Sequence, residues 1–139
     1  MIAGWRLHLT LVACFAALVG SVSGCSPSDP QSDAIRKECA GDLVLVDAIL
    51  KEHVALLEDS DPNHLLMIGA FALTEREDGP LPSGTPSDHP SREYHRLVPL
   101  IASLAPRVGA GDRDAIEPLS DAIGELSRLR ASLVACPII

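Results

Sequence analysis

The sequence predicts an all-α fold, an antiparallel bundle of about four helices. Apolar residues recur every three or four positions in four segments, which is the spacing of one face of an α-helix. No segment alternates apolar and polar residues with the β-branched enrichment of a strand, so we expect no sheet. Two of the three connections between these segments are short, which favours antiparallel neighbours, although three longer helices are an alternative.

The first two predicted helices span residues 33–58 and 61–77. In the first, apolar side chains recur at helical spacing from Ile35 to Leu57. Asp61 and Pro62 indicate the start of the second, because aspartate caps helix N-termini and proline is favoured at the first helical position. The second helix is apolar on much of its circumference, so we expect it to be the most buried of the four.

The second half of the chain begins with a predicted loop, Asp78–Ser91, which contains four prolines and two glycines. Such a long loop is either functional or mobile, and its linker-like composition favours mobility. A third helix is predicted over residues 91–108, with a bend at Pro99, whose ring displaces a carbonyl of the preceding turn. The fourth helix begins between Asp112 and Pro118 and ends near Ala135.

The first 24 residues have the pattern of an export signal. Arg6 is their only charged residue, Leu7–Val19 is an apolar stretch, and mostly small residues follow over Gly20–Gly24. The apolar stretch is shorter than the roughly 20 residues that a membrane-spanning helix needs. The pattern therefore predicts a signal peptide that is removed, rather than a permanent membrane span.

The residues Val22-Ser23-Gly24-Cys25 resemble the lipobox of bacterial lipoproteins, a resemblance confined to about the first 26 residues. It implies that the Cys25 thiol carries a diacylglycerol and that the new N-terminus receives a further acyl chain such as palmitate. Ser26, where aspartate would favour the inner membrane, implies the outer membrane of a diderm bacterium, or otherwise the outer face of the cell membrane. The alternative is an ordinary secretory signal with a chance cysteine nearby.

The predicted organisation is a signal peptide over 1–24, a lipidated cysteine with its tether over 25–32, and a helical domain over 33–139. The tether contains two prolines and small polar residues, and its seven residues after Cys25 reach at most about 25 Å. The resemblance therefore predicts a domain held close to a membrane by its lipid.

The charge balance excludes some partners. Removal of residues 1–24 takes away one basic residue and changes the net charge from −8 to −9. A nucleic-acid-binding protein needs a basic face, so no nucleic-acid partner is expected. The same balance disfavours electrostatic binding to anionic lipid, and leaves room for cationic partners or metal ions.

Two of the four cysteines remain for pairing. Cys14 lies in the signal peptide, and the resemblance assigns Cys25 to the lipid. Cys39 and Cys136 would then occupy an oxidising compartment. In an up-down-up-down bundle, the start of the first helix and the end of the fourth lie at the same end, so we predict a Cys39–Cys136 disulfide, with two separate thiols as the alternative.

The sequence contains no recognisable catalytic constellation or haem-attachment motif, so we predict a non-enzymatic protein without a cofactor. Its expected role is to bind another envelope protein or to organise the envelope. The alternative is a metal-binding lipoprotein. Its ligands would be His53, His64 and Asp61 at the first interhelical turn, since imidazole and carboxylate suit zinc or copper. A solvated polar turn explains the same residues.

Overall fold

The computed structural model describes residues 30–74 and 81–137. Within these ranges the chain forms four α-helices and no strand: α1 (Pro30–Asp59), α2 (Asn63–Leu73), α3 (Pro90–Gly109) and α4 (Ile116–Ala135), the last preceded by a short 3₁₀ turn, Arg113–Ala115. The predicted all-α bundle is confirmed. The predicted signal peptide, Cys25 and the tether as far as residue 29 lie outside the described residues.

Helices α1 and α4, which contact each other, run in opposite directions. In α4, Arg130 donates to the Asp47 carboxylate of α1, while Cys136 beyond it meets Cys39, which precedes Asp47. Residue numbers thus rise along one helix as they fall along the other. A contact between Arg96 and Glu125 joins α3 to α4.

A continuous core joins the four helices. Each contributes side chains that are almost entirely withdrawn from solvent: Val46, Ile49, Ile68, Leu97, Ile101, Leu126 and Leu133. Those that share a helix lie three, four or seven positions apart, so the periodicity of the sequence identifies the inward faces of these helices correctly.

Two helix ends differ from the prediction by three residues or more. Helix α1 begins at Pro30 rather than Asp33, since proline is compatible with a first helical turn. Residues 30–32, which were predicted as tether, are therefore helical. Helix α2 ends at Leu73 rather than Glu77, because Thr74 is extended and its hydroxyl donates to the Ala70 carbonyl 3.0 Å away. Residues 75–77 lie outside the described part of the chain.

Four of the 11 residues of α2 are buried, about the same proportion as in α3, where seven of 20 are buried, so the expected greater burial of α2 is not evident. Leu65, Ile68 and Ala72 face the core, but Leu66 and Leu73 are each 68% exposed. A helix with apolar residues on all sides presents some of them to solvent unless neighbours surround it. Helix α2 therefore adds an exposed apolar surface to the bundle.

Helix α3 is continuous through Pro99 and Pro106 and ends at Gly109, near the predicted end. A bend at Pro99 stays a prediction. The next helix begins within the predicted range, after Asp112 accepts a hydrogen bond from the Asp114 backbone N–H at 3.0 Å. None of the helices in the described ranges is both long and apolar enough to cross a membrane.

The described part of the loop before α3 is tied to the bundle rather than free. The Arg92 guanidinium donates to the carbonyl oxygens of Thr85 and Pro86, at 2.7 and 2.9 Å. Gln31 of α1 donates to the Ser83 carbonyl. Gly84 has a φ of +86°, which only glycine adopts readily, and a Cβ there would lie 2.5 Å from the Gln31 amide nitrogen. The linker-like composition does not reveal these contacts.

Candidate functional site

The first interhelical turn holds His64 between two carboxylates. His64 Nδ1 lies 2.6 Å from Glu52 Oε2 in α1, and His64 Nε2 lies 3.0 Å from Asp59 Oδ2. The hydrogen bond to Asp59, followed by the one to Glu52, raises the pKa of His64 to about 8. An imidazolium is therefore the favoured form at neutral pH, and it has no lone pair for a metal ion.

The structure does not bring the three predicted metal ligands together. Both ring nitrogens of His64 are hydrogen-bonded to carboxylates, and Asp61 accepts a hydrogen bond from the Asn63 backbone N–H at 2.9 Å in the turn before α2. His53 is partly buried, and this burial lowers its pKa. Among the described residues, the groups with metal-binding geometry do not include these three. The contacts of His64 and Asp61 are explained by ion pairing and by hydrogen bonds within the turn.

The end of the bundle where α1 begins is closed by the predicted disulfide. Cys39 and Cys136 are bonded, with their Cα atoms 5.9 Å apart. The side chain of Ser91, at the start of α3, is buried, and its Oγ lies 3.9 Å from Cys39 Sγ. Three helices thus meet at this disulfide end, which we define by Cys39, Cys136 and His89.

His89 completes the disulfide end through two hydrogen bonds. Its Nδ1 accepts from the Ser91 backbone N–H at 3.1 Å, so the proton of the neutral ring lies on Nε2. Nε2 in turn donates to the Pro137 carbonyl at 3.0 Å. His89 and the two cysteines have the geometry of a metal-ligand group. In the oxidised protein, however, the sulfurs are bonded to each other and both His89 nitrogens are used, so the arrangement is structural.

The opposite end of the bundle contains an apolar groove of about 460 Å³ between α2 and the end of α3. Its walls include Leu65, Leu66, Gly69, Leu73, Ala105 and Pro106. In the described part of the chain, Asn63 is the one lining residue with a polar side chain, and no lining residue is charged. The groove is large enough for several apolar side chains of a ligand.

Gly69 lines the groove and has no side chain to fill it. A Cβ at this position would lie 3.9 Å from Ala105 Cβ and 4.0 Å from Pro106 Cδ, which are ordinary van der Waals distances. The packing of α2 against α3 therefore does not require glycine, although glycine weakens a helix relative to alanine by about 1 kcal/mol. The absence of a side chain at Gly69 leaves space in the lining of the groove.

Sequence reasoning missed the groove, although a signal was present. Helix α2 has 11 residues and apolar side chains around its circumference, which is more than one neighbouring helix covers. The small residues Gly69 and Ala70 lie in α2, and Ala105 lies opposite them in α3. No protein-family profile, curated protein or solved structure matches this chain.

Proposed function

We propose that this protein is a non-enzymatic, lipid-anchored helical domain of the cell envelope that binds an apolar helix of a partner envelope protein. The observation that carries the proposal is the uncharged groove between α2 and α3. The lipobox resemblance of residues 22–25 supports the location, with Cys25 as the lipidated residue and the outer membrane, or the outer face of a single membrane, as the site.

The lining of the groove favours an apolar occupant over a charged one. The chain that remains after residue 24 has a net charge of −9, yet no charged side chain lines the groove in the described ranges. Contacts there would be dominated by removal of apolar surface from water, at roughly 25 cal/mol per Å². Leu66 and Leu73 are already exposed and would lose that exposure on binding.

The helical surroundings of the groove favour a helix over an extended peptide. The 11 residues of α2 span about 16 Å, which matches three turns of a partner helix laid alongside. Extended peptides are usually bound by backbone hydrogen bonds to a sheet edge, and the described residues contain no strand. A helix satisfies its own backbone groups and needs only apolar contacts at i, i+3 and i+4 spacing.

Photocrosslinking in the native membrane tests the groove. A benzophenone amino acid at Ala70 or Leu66 is expected to crosslink one partner reproducibly and in stoichiometric yield, through an apolar helical segment. The same probe at Ser120, which is exposed on α4, is the matched control and is expected not to crosslink that partner. Leu73→Glu, in a chain that carries the probe at Ala70, is expected to abolish the crosslink because it places a charge at the groove.

Three outcomes would overturn the proposed function. One is the absence of a crosslink specific to the groove positions. The others are crosslinks to lipid or to a second copy of this chain, which would assign the surface to the membrane or to self-association. Sedimentation of the purified domain with vesicles, and its mass in solution, distinguish these two occupants.

The anchor has a separate test. Metabolic labelling with radioactive palmitate is expected to mark the wild-type chain and not Cys25→Ser, which is expected to leave the membrane fraction. The disulfide variant Cys136→Ser is the control and keeps the label. Label that persists in Cys25→Ser would contradict the lipidation.

A further inference from the structure

A second cluster of functional groups lies away from both the groove and the disulfide. Glu38 and Asp42 are four residues apart on one face of α1, and their side chains are 3% and 0% exposed. His95 of α3 directs its Nε2 toward them, 3.5 Å from Glu38 Oε2 and 4.0 Å from Asp42 Oδ1. We refer to these three residues as the carboxylate–histidine cluster.

We propose that the carboxylate–histidine cluster binds a divalent transition-metal ion, with zinc as the best-fitting ion. One ligand atom from each residue lies within 4.8 Å of the other two, a spacing suited to a shared ion. Imidazole with carboxylates is a ligand set that zinc accepts. Three protein ligands leave one tetrahedral position for water. The proposal is independent of the groove.

His95 supplies the observation that distinguishes this cluster from a pair of acids. Its Nε2 atom is shielded from solvent and has no hydrogen-bond partner among the described residues. The ring packs edge-on against Tyr94, with centroids 5.5 Å apart, which helps to hold its orientation. The side chain as a whole is 37% exposed, while its shielded Nε2 lies beside two buried carboxylates.

The separations favour zinc over magnesium and calcium. Ligands about 2.0–2.1 Å from zinc in a tetrahedron lie roughly 3.3–3.4 Å apart. The His95–Glu38 separation of 3.5 Å is close to this value, and the His95–Asp42 separation of 4.0 Å needs a modest closure. Octahedral magnesium needs neighbouring ligands roughly 2.8–3.0 Å apart, and calcium prefers six to eight oxygens. An imidazole nitrogen also suits neither of these two ions.

Zinc also suits the electrostatics of the cluster. Two carboxylates four residues apart on one helix face repel each other, and burial strengthens that repulsion. Glu38 and Asp42 each make a further interaction in the protein. A divalent cation between the two oxygens and the imidazole would replace repulsion with attraction to all three groups.

Zinc titration of the purified, oxidised protein tests the site. The intact disulfide keeps Cys39 and Cys136 from acting as thiolate ligands. We expect one zinc ion per chain, and no comparable binding of magnesium or calcium. Cobalt substitution is expected to give the intense visible absorption of a tetrahedral ion, rather than the weak absorption of an octahedral one.

Matched variants locate the ion. His95→Gln, at a partly exposed position, is expected to weaken zinc binding by at least about tenfold, and Glu38→Gln is expected to act in the same direction. His64→Gln is the control and is expected to bind zinc as the wild type does. Zinc is also expected to raise the melting temperature of the wild type but not of His95→Gln, because a ligand stabilises only the state that it binds. Circular dichroism establishes that each variant is folded.

Each contrary result overturns the proposal. Absence of stoichiometric zinc binding would show that the cluster is an ion pair alone. Zinc binding that survives His95→Gln, or that is lost in His64→Gln, would place the ion elsewhere in the protein. A cobalt spectrum typical of octahedral coordination would overturn the zinc-type geometry.

Discussion

The disulfide end and the groove end of the bundle differ in how far their side chains are bonded within the chain. At the disulfide end, Cys39 and Cys136 are covalently joined, and both nitrogens of the buried His89 are hydrogen-bonded. At the groove end, Leu66 and Leu73 remain largely in water, and the lining contains no charged group in the described ranges. One end has its contacts within the chain, whereas the other leaves apolar surface uncovered.

This difference separates residues that stabilise the fold from residues available for binding. The two cysteine sulfurs and the two His89 nitrogens at the disulfide end cannot bind a partner without breaking internal bonds. The exposed leucines of the groove keep about two thirds of their surface in water, so they contribute less to the stability of the fold than buried leucines do. Substitutions at the disulfide end are therefore expected to reduce stability more than binding, and substitutions in the groove to reduce binding more than stability.

The largest effect on stability is expected from removal of the disulfide. The bond joins residues 97 positions apart, and closure of such a loop contributes about 4–5 kcal/mol in the chain-entropy model. Cys39→Ser combined with Cys136→Ser is expected to lower the free energy of unfolding by about this amount, as measured by urea denaturation. Reductant is expected to destabilise the wild type and leave the double variant unchanged. Equal stability of the two proteins would contradict this prediction.

A pair of substitutions in α2 contrasts the core face with the groove face. Ile68→Ala is expected to cost about 2–5 kcal/mol of stability, because the wild-type side chain is fully buried and truncation leaves a cavity. Leu66→Glu is expected to change stability by only about 0.5 kcal/mol, since it lies at a surface position. In the crosslinking assay the ranking reverses, with Leu66→Glu losing the partner. A large stability loss in Leu66→Glu would mean that the groove belongs to the core.

Substitutions of Gly84 and Gly69 compare a glycine that the fold requires with one that it does not. Gly84→Ala is expected to destabilise the protein by about 1–2 kcal/mol, because its φ of +86° is unfavourable for alanine and the new Cβ would crowd Gln31. Gly69→Ala is expected to stabilise it by up to about 1 kcal/mol, since alanine is the better helix former and space is available. Thermal and urea unfolding measure both changes. Destabilisation by Gly69→Ala would show that the fold itself requires this glycine.

The helices and the disulfide were predictable because they depend on local periodicity and chain direction. Apolar residues at three- and four-residue spacing mark the buried faces of α1, α3 and α4, where polar residues occupy the other sides. Alternating helix direction then places Cys39 beside Cys136. The end of α2 was less predictable, since a single hydroxyl contact from Thr74 to Ala70 accompanies it.

The candidate sites depend on contacts between distant parts of the chain. The apolar periodicity of α2 could not predict which side of the helix faces the core. Apolar residues surround this helix, so no polar face shows which leucines are exposed. Glu38 and Asp42 have the sequence pattern of an ordinary solvated helix face, and their burial depends on α3, which also supplies His95. The predicted ligands His53, His64 and Asp61 are close in sequence. In the structure, however, His64 is paired with two carboxylates, and Asp61 accepts a backbone hydrogen bond within the turn. Proximity in sequence therefore predicts that these residues lie at one turn, but not whether they can ligate a metal ion.

The smallest expected effect concerns His64, whose charge links α1 to α2 at the groove end. Its hydrogen bonds to Asp59 and Glu52 raise its pKa from 6.5 to about 8 in the folded protein. The stabilisation is therefore complete below pH 6.5, where both states are protonated, and is lost as the pH rises through about 8. Urea denaturation across this range is expected to show a modest decline in the wild type and none from this source in His64→Gln.

His53 provides the internal control, because burial lowers its pKa. Its contribution has the opposite sign: it is present above the unfolded pKa and is lost as the pH falls through the folded one. His53→Gln is therefore expected to retain the decline at alkaline pH and to change only the acid side of the profile. An alkaline decline that persists in His64→Gln, or a His64 ring resonance that titrates below pH 6.5, would contradict the ion pairing. The contacts at the first turn would then leave His64 available as a ligand.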